Sequence, residues 1–344
     1  MPADPQPVFC AIADRSYFLG AVALVNSLRL TGNAGEIAFL DVGLEPAQRA
    51  LLEQQATVHD RPAEAGWVSV FAKPQLGLLH PDRVVVLLDN DMVVTGSLEP
   101  LVRSAAEGKI AVFAEPDPSR WFSEWQEVFS LRQPLRKGRY VNGACVALST
   151  ATWRGFLERW LELGESVSAA RSTRPFLLRH NEVVTDPVGF NEQDTLNALL
   201  MSEVPEDAVD SLPRQLAPVW ADRHDVRVVD ARTLRCSMAG TPTLLLHSTG
   251  VPKPWHRRGW LRRHFRAFDR LFTRAVTGAD APVRLSSQEL PHWLRPGPGG
   301  RLLELSANGA SLIAHGAMTI LPAGLRARVV SPLRARFSGT TARA

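Results

Sequence analysis

Two carboxylates end an apolar run in this chain: Asp89-Asn90-Asp91 directly follows Val84-Val85-Val86-Leu87-Leu88. In an open α/β sheet, ligands collect beyond the carboxyl ends of the strands, where such a pair would stand. Neighbours two apart on an extended segment share a face only while it stays extended, so a turn must aim both carboxylates at one ion. Hard oxygen donors suit Mg2+ or Mn2+, ions that complete their shell with a diphosphate or similar group. A plain acidic turn after a strand is the competing reading. A second segment, Leu244-Leu245-Leu246-His247-Ser248-Thr249-Gly250-Val251-Pro252-Lys253-Pro254-Trp255, runs from an apolar strand into His, Gly and Lys at short spacing. His247 could add a nitrogen ligand, Gly250 could let a phosphate approach the backbone, and Lys253 could bring a point charge to that phosphate. Taken alone, this segment reads equally well as a capped strand with a structural His and a solvated Lys.

The elements that must position these residues follow from periodicity. Residues 9–13 read as a strand, and residues 17–30 as a helix with Phe18, Val22, Val25 and Leu28 on one side and Gly32 beyond the end. A strand at 37–42 and a helix from 45 to about 56 come next. The unbroken apolar run 84–88 predicts a strand covered on both faces. Residues 110–114 and 141–148 predict further strands, and 153–163 a helix. Such alternation implies an α/β sheet with helices on both sides. Trp121, Phe122 and Trp125 read as packing of a lid helix, with sugar stacking as the alternative. His80, His180 and His224 lie outside any motif and read as surface or loop residues. The Pro/Gly cluster at 294–300 marks a linker or loop.

With 344 residues, 45% hydrophobic and 22% charged, the chain has a globular composition, which excludes disorder throughout. No apolar run approaches the ~18–20 residues of a membrane-spanning helix. Met1-Pro2-Ala3-Asp4-Pro5 lacks a basic stretch leading into an apolar one, so no secretory signal is expected. Cys10, Cys145 and Cys236 form neither a disulfide framework nor a zinc pattern, and reduced thiols in the cytoplasm are expected. Charge is uneven. Residues 251–344 hold 16 basic and 4 acidic side chains, against 23 and 31 in the rest. Phe265, Phe268, Phe272 and Ala275 share one helical stripe there, while Arg262, Arg266, Arg270 and Arg274 recur on another face. That pattern fits a helix lying in an anionic membrane interface, through residues 257–276, or one packed on the body with solvated arginines. No nucleic-acid module accompanies the charge, so no nucleic-acid partner is expected.

Together with three other segments, the two motifs resemble glycosyltransferase family 8, the retaining nucleotide-sugar transferases of the GT-A fold, over residues 8–256 and in the family's order. The resemblance is to the group of bacterial lipopolysaccharide galactosyl- and glucosyltransferases. Ala11-Ile12-Ala13-Asp14-Arg15-Ser16-Tyr17 is similar to the opening segment, whose Asp and Tyr hold the uracil ring. Asp89-Asn90-Asp91 with Met92-Val93-Val94 looks like the metal-binding Asp-x-Asp. Tyr140-Val141-Asn142-Gly143-Ala144 resembles the segment whose Asn meets the donor sugar, and Asn191-Glu192-Gln193-Asp194-Thr195-Leu196-Asn197 the one below the anomeric carbon. His247, Gly250 and Lys253 match the closing motif, in which His is the third metal ligand and Lys meets the diphosphate. Three positions depart from the family: Glu192 where Asp is usual, Ala72 where Arg is usual (with Lys73 adjacent), and Trp220-Ala221 for a Trp-Asn pair.

The resemblance implies an α/β, GT-A type Rossmann-like mixed sheet flanked by helices, with a basic helical C-terminal extension. It divides the chain into a catalytic domain at 1–256 and an extension at 257–344, partly helical and partly disordered. It implies a metal-dependent retaining transferase moving a hexose from a UDP-sugar to a glycan, lipid-linked or other hydroxyl acceptor. Asp89, Asp91 and His247 would hold Mn2+ or Mg2+. Asp14, Tyr17, Lys73, Asn90, Asn142, Gly143, Asp194, Gly250 and Lys253 would bind the donor. Gln193, Glu192 and Lys253 would serve catalysis, Gln193 by orienting or stabilising and Glu192 by binding a hydroxyl. The expected location is cytoplasmic, peripheral at the inner face of the membrane where the extension engages it. Two alternatives remain: a haloacid dehalogenase-type phosphohydrolase using Asp89 and Asp91, and a non-catalytic sugar-nucleotide-binding protein.

Overall fold

A computed structural model of the chain describes residues 6–62, 71–171, 185–249, 253–256, 266–291 and 294–295. The chain forms two compact units, Met1–Leu285 and Ser286–Ala344. In the second, the described residues form a turn in which the Ser286 amide donates to Glu289 Oε2 at 2.6 Å.

The first unit opens with β1 (Val8–Ala13), α1 (Phe18–Leu30), β2 (Glu36–Asp41), α2 (Pro46–Leu52) and β3 (Thr57–Asp60). It continues through α3 (Lys73–Leu78), β4 (Val84–Leu88), β5 (Met92–Val94), α4 (Glu99–Ala106), β6 (Ile110–Ala114) and α5 (Trp125–Val128). Next come β7 (Val141–Ser149), α6 (Thr150–Arg171), α7 (Glu192–Leu200), β8 (Val209–Leu212), β9 (Val226–Asp230) and β10 (Arg235–Met238). β11 (Thr241–Pro242), β12 (Leu245–His247) and α8 (Arg266–Thr277) complete it. A seven-stranded sheet runs β3-β2-β1-β4-β7-β6-β8, with β7 antiparallel to both its neighbours. This is the mixed sheet the sequence predicts.

All five residues of β4 are buried, as an unbroken apolar run requires. Val85 and Leu87 belong to a core shared with Leu76 of α3 and Leu157 and Trp160 of α6. Their neighbours Val84, Val86 and Leu88 face the other way, toward the side covered by α1 and α4. Three elements differ from the periodicity. The helix predicted to reach 56 stops at Leu52, because Gln55 and Ala56 turn back to Leu52 O and β3 begins immediately. The helix predicted from 153 starts at Thr150 and carries non-helical dihedrals at Trp153. α3 has only six residues and no readable period; Pro74 starts it with a preset φ. Of the lone histidines, His80 sits in a turn but is buried, and His180 lies outside the described residues. All three cysteines are free and buried.

The C-terminal helix α8 packs on α1, with Phe268, Leu271, Phe272 and Ala275 fully buried. The described part of the apolar stripe is therefore spent on the protein's own body. Asn26 of α1 ties the two helices together. Its Nδ2 donates at 2.9 Å to the carbonyls of Ala275 and Val283, and its Oδ1 accepts from the Val283 amide at 2.8 Å. The Ala275 carbonyl is one of the last four in its helix and has no intrahelical donor, so Asn26 caps it. Asn26→Ala strands these groups in a buried place and is expected to cost about 2–4 kcal/mol. A urea midpoint unchanged from the parent would refute this.

Candidate functional site: a buried carboxylate–imidazole–lysine cluster

The strand β4 ends in the turn that the two carboxylates need. The Asp89 amide still donates to Ala144 O at 2.9 Å, and Asn90 then turns its side-chain amide onto Ile12 O. After Asp91 the chain reverses into β5, which pairs antiparallel with β12 so that His247 lies opposite Met92. The Ser248 amide donates to Asp91 O at 2.9 Å, closing the junction. Ligand atoms of Asp89, Asp91 and His247 consequently all fall within 4.8 Å of one another. His247 Nε2 is 3.1 Å from Asp91 Oδ1 and 3.7 Å from Asp89 Oδ2. Its Nδ1 is buried and has no hydrogen-bond partner among the described residues.

Two lysines occupy the remaining carboxylate oxygens. Lys73, at the start of α3, lies 2.7 Å from Asp89 Oδ1 and 2.6 Å from Glu192 Oε1, and donates to Gly143 O at 2.9 Å. Lys253 donates to Asp91 Oδ2 and, at 2.9 Å, to Ser248 O. Burial alone would lower the Lys73 ammonium, but Asp89 and Glu192 outweigh it and hold the group above its ordinary value. Burial alone would raise Asp91, yet His247 and Lys253 hold its carboxyl well below the usual carboxylate range. Burial would lower His247, and Asp91 holds it up instead. Burial pushes Glu192 up to about 7, with Lys73 opposing and Asp89 adding to the rise.

These groups border a cavity of about 260 Å³ lined by Ile12, Asp14, Tyr17, Val42, Lys73, Leu88, Asp89, Asn90, Asp91 and Glu192. Asp14 Oδ1 accepts from the amides of Ser16 and Tyr17, both at 2.8 Å, which sets the turn into α1. Burial first, then Asp91, Asp14 and Asp89, push the Tyr17 hydroxyl up to about 12, so it remains a donor at neutral pH. The Tyr17 ring meets Trp255 edge-on at 5.7 Å, and Trp255 Nε1 donates to Ser16 O at 2.8 Å. Gly20 permits this arrangement: a Cβ there would stand 2.3 Å from Asn90 O and 2.8 Å from the Trp255 ring.

Three further predicted residues form a neighbouring layer. Asn142 Nδ2 donates to Glu115 Oε2 at 2.7 Å, and the Gly143 amide donates to Gln193 Oε1 at 3.0 Å. Asp194 is different. It is fully buried, and its carboxylate accepts from Arg120 and from the Tyr140 hydroxyl rather than facing the cavity. Gly250 lies outside the described residues. Periodicity and motif gave no sign of Glu115 or Arg120, because each is defined by a partner distant in sequence. Trp125, read as packing, is fully buried, and its Nε1 donates to Pro187 O at 2.5 Å.

Two carboxylates and an imidazole converging on one point form an oxygen/nitrogen donor set suited to a divalent cation, and the buried His247 Nδ1 has no hydrogen-bond partner among the described residues. A haloacid dehalogenase site would add a second acidic pair from a later strand, whereas β12 brings His247 and then Lys253.

The fold is the GT-A glycosyltransferase fold. The galactosyltransferase LgtC, solved with donor and acceptor sugar analogs, superposes with a TM-score of 0.52 at 17% identity, over 79% of this chain and 98% of that one. An active-site mutant of LgtC gives 0.53 at 18% identity, over 77% and 94%. The bifunctional glycosyltransferase WbbM gives 0.51 at 13% identity, over 82% and 51%. In sequence, the chain is 25% identical over 196 residues to the lipopolysaccharide 1,2-glucosyltransferase of Escherichia coli (strain K12), a match covering 57% of this chain. That match spans about half the length of the curated relative, 50% of it. No protein-family model matches the chain.

The raised Glu192 carboxyl has a consequence for stability. Between its ordinary value of 4.5 and about 7, the folded protein keeps a proton that the unfolded chain has released. This group's contribution to stability therefore falls as pH rises through that window. Without added cation or nucleotide, Glu192→Gln should lose less Tm than the parent between about pH 5 and about pH 7. Identical slopes would mean that Glu192 is ionised throughout.

Proposed function

We propose that this chain is a metal-dependent retaining glycosyltransferase that moves a hexose from a UDP-sugar to a hydroxyl of a glycan or lipid-linked acceptor. The observation that carries the reading is the convergence of Asp89 and Asp91 with His247 beside the cavity that the two carboxylates line together with Asp14 and Tyr17. The shared fold supports it, as does the likeness to a lipopolysaccharide glucosyltransferase.

In this reading Asp89, Asp91 and His247 hold Mn2+ or Mg2+. Bound there, the cation would act as a Lewis acid toward the leaving diphosphate. Asp14 and Tyr17 receive the uracil ring, and Asn90, anchored through Nδ2 to Ile12 O at the edge of the same cavity, joins them in holding the donor. Lys253 is already desolvated beside Asp91, and its ammonium can turn to a diphosphate, a better-matched and more highly charged partner. Glu192, tied to Lys73, presents a carboxylate that can accept hydrogen bonds from sugar hydroxyls. Gln193, its amide oxygen engaged by Gly143 and its side chain bonded to Tyr140, orients the segment below the reacting centre. In this reading the acceptor's proton passes to the leaving phosphate on the same face.

No helix among the described residues is long and apolar enough to cross a membrane. We place the protein at the cytoplasmic face, where an anionic lipid surface would meet the arginines of the extension, Arg270 among them. The stripe of Phe268 and Phe272 is buried and takes no part. The attraction is then purely electrostatic and screened over about 10 Å at 0.1 M salt.

The decisive measurement is UDP release from a panel of UDP-sugars with Mn2+. The parent should release UDP, EDTA should abolish release, and Asp89→Ala, Asp91→Ala and His247→Ala should each lower it by about a hundredfold or more. Lys253→Ala should lower kcat more than it raises KM, because its benefit falls in the transition state. UDP binding without turnover of any donor would instead mark a non-catalytic sugar-nucleotide-binding protein, and phosphate release from monoesters a hydrolase. On vesicles of anionic lipid, the parent should adsorb at low salt and detach as salt rises; reversing Arg262, Arg266 and Arg270 to Glu should abolish adsorption. Indifference to such vesicles at low salt removes the membrane from this account.

A further inference from the structure

Asp194 cannot serve the donor directly, because its oxygens are already taken. Arg120 grips it with both arms of the guanidinium, Nε to Oδ1 at 2.7 Å and Nη2 to Oδ2 at 2.8 Å. Tyr140 donates its hydroxyl to Oδ1 at 2.8 Å, and the Phe190 amide donates to Oδ2 at 2.7 Å. Arg120 reaches further, giving a hydrogen bond to Asp186 O at 2.7 Å and lying 4.5 Å from the Phe190 ring centroid and 4.7 Å from that of Phe122. The side chains are 7% and 0% exposed, so this is a fully desolvated pair. A forked, planar contact of this kind fixes orientation as well as distance.

What needs fixing lies immediately upstream. Asn191, the residue before α7, has φ of +52°, in the left-handed region that side-chain-bearing residues avoid, and its side chain makes no capping bond to the helix. Asp194, in the first turn, accepts from the Phe190 amide just ahead of the helix and so ties the entering chain to it. Glu192 and Gln193 are the two residues between the strained Asn191 and the clamped Asp194. They reach Lys73 and Gly143 only while that turn keeps its path.

We infer that Arg120 is a positioning residue for the sugar half of the donor: by clamping Asp194 it aims Glu192 into the cavity and holds Gln193 on the Gly143 amide beside it. This rests on the proposed UDP-sugar reading of the same site. The nucleotide half is held elsewhere, by Asp14, Tyr17 and the Asp89–Asp91 turn, so the two halves of the ligand separate the clamp from general structural damage.

The test titrates the full chain, with Mn2+ present, with UDP and with UDP-glucose and UDP-galactose. Arg120→Lys keeps the charge and loses the fork. It should bind UDP within about twofold of the parent, while the ratio of UDP-sugar to UDP affinity for the preferred donor falls about tenfold. The paired variant Arg120→Met with Asp194→Leu replaces the buried ions by apolar groups, which buried pairs commonly tolerate, and should show the same selective loss. A parent-like ratio in a folded variant overturns the inference, and so does an equal loss of UDP and UDP-sugar, the mark of a merely structural role. If Arg120→Lys does not fold, the paired variant decides by the same two criteria. A parent that binds neither UDP nor UDP-sugar overturns the functional reading itself, and the inference with it.

Discussion

Three carboxylates brought to one poorly solvated place cannot stand alone, and much of this structure follows from neutralising them. Asp91 is buried, Glu192 is largely buried and Asp89 is partly exposed, so the Asp91 charge above all would be costly without a partner at contact distance. The partners arrive from three separate stretches of chain: α3 brings Lys73, β12 brings His247, and Lys253 precedes the turn at Pro254–His256, while α7 carries Glu192 itself in. β5 is only three residues long, yet its pairing with β12 puts the imidazole beside Asp91. The C-terminal helix serves the same end. Its Phe272 stacks on Trp255 at 5.2 Å, Trp255 is anchored to Ser16, and Lys253 lies two residues away.

Two departures from the family pattern turn out to be a single feature. In the sequence, Lys73 near the place of an Arg and Glu192 in place of an Asp stand 119 residues apart and look unrelated. In the fold they touch, at 2.6 Å. Lys73 meets this carboxylate as a point charge, without the fork that a guanidinium would bring. A change at either position alone would leave a buried charge short of its partner.

The long strands, α1 and the ligand triad were legible in the sequence because each is a local pattern: an apolar run, a helical stripe, a pair of acids after a strand. The fold class followed from their alternation. What was not legible is non-local. α3 is too short to show a period, and β3 is a four-residue edge strand with only one buried residue, Val58. Asp194 sits in a motif of otherwise functional residues, and only the arrival of Arg120 from another loop shows that its role is internal. The stripe at Phe268 and Phe272 was ambiguous for a different reason. A helix face buried in lipid and one buried against protein have the same composition, and the partner, α1, lies some 240 residues earlier, as the Asn26–Ala275 bond separation of 249 shows.

Charge balance also bears on how ligands can enter. Asp91 holds the His247 imidazole above its ordinary value, and two lysines stand against the three acidic side chains. In the proposed reading, a divalent cation taking the imidazole nitrogen would add positive charge to this cluster, in a setting where uncompensated charge is costly. The diphosphate of the proposed donor would offset that charge, and Lys253 can turn from Asp91 to meet it. Cation and nucleotide would then complement each other, each supplying the charge that the other leaves uncompensated.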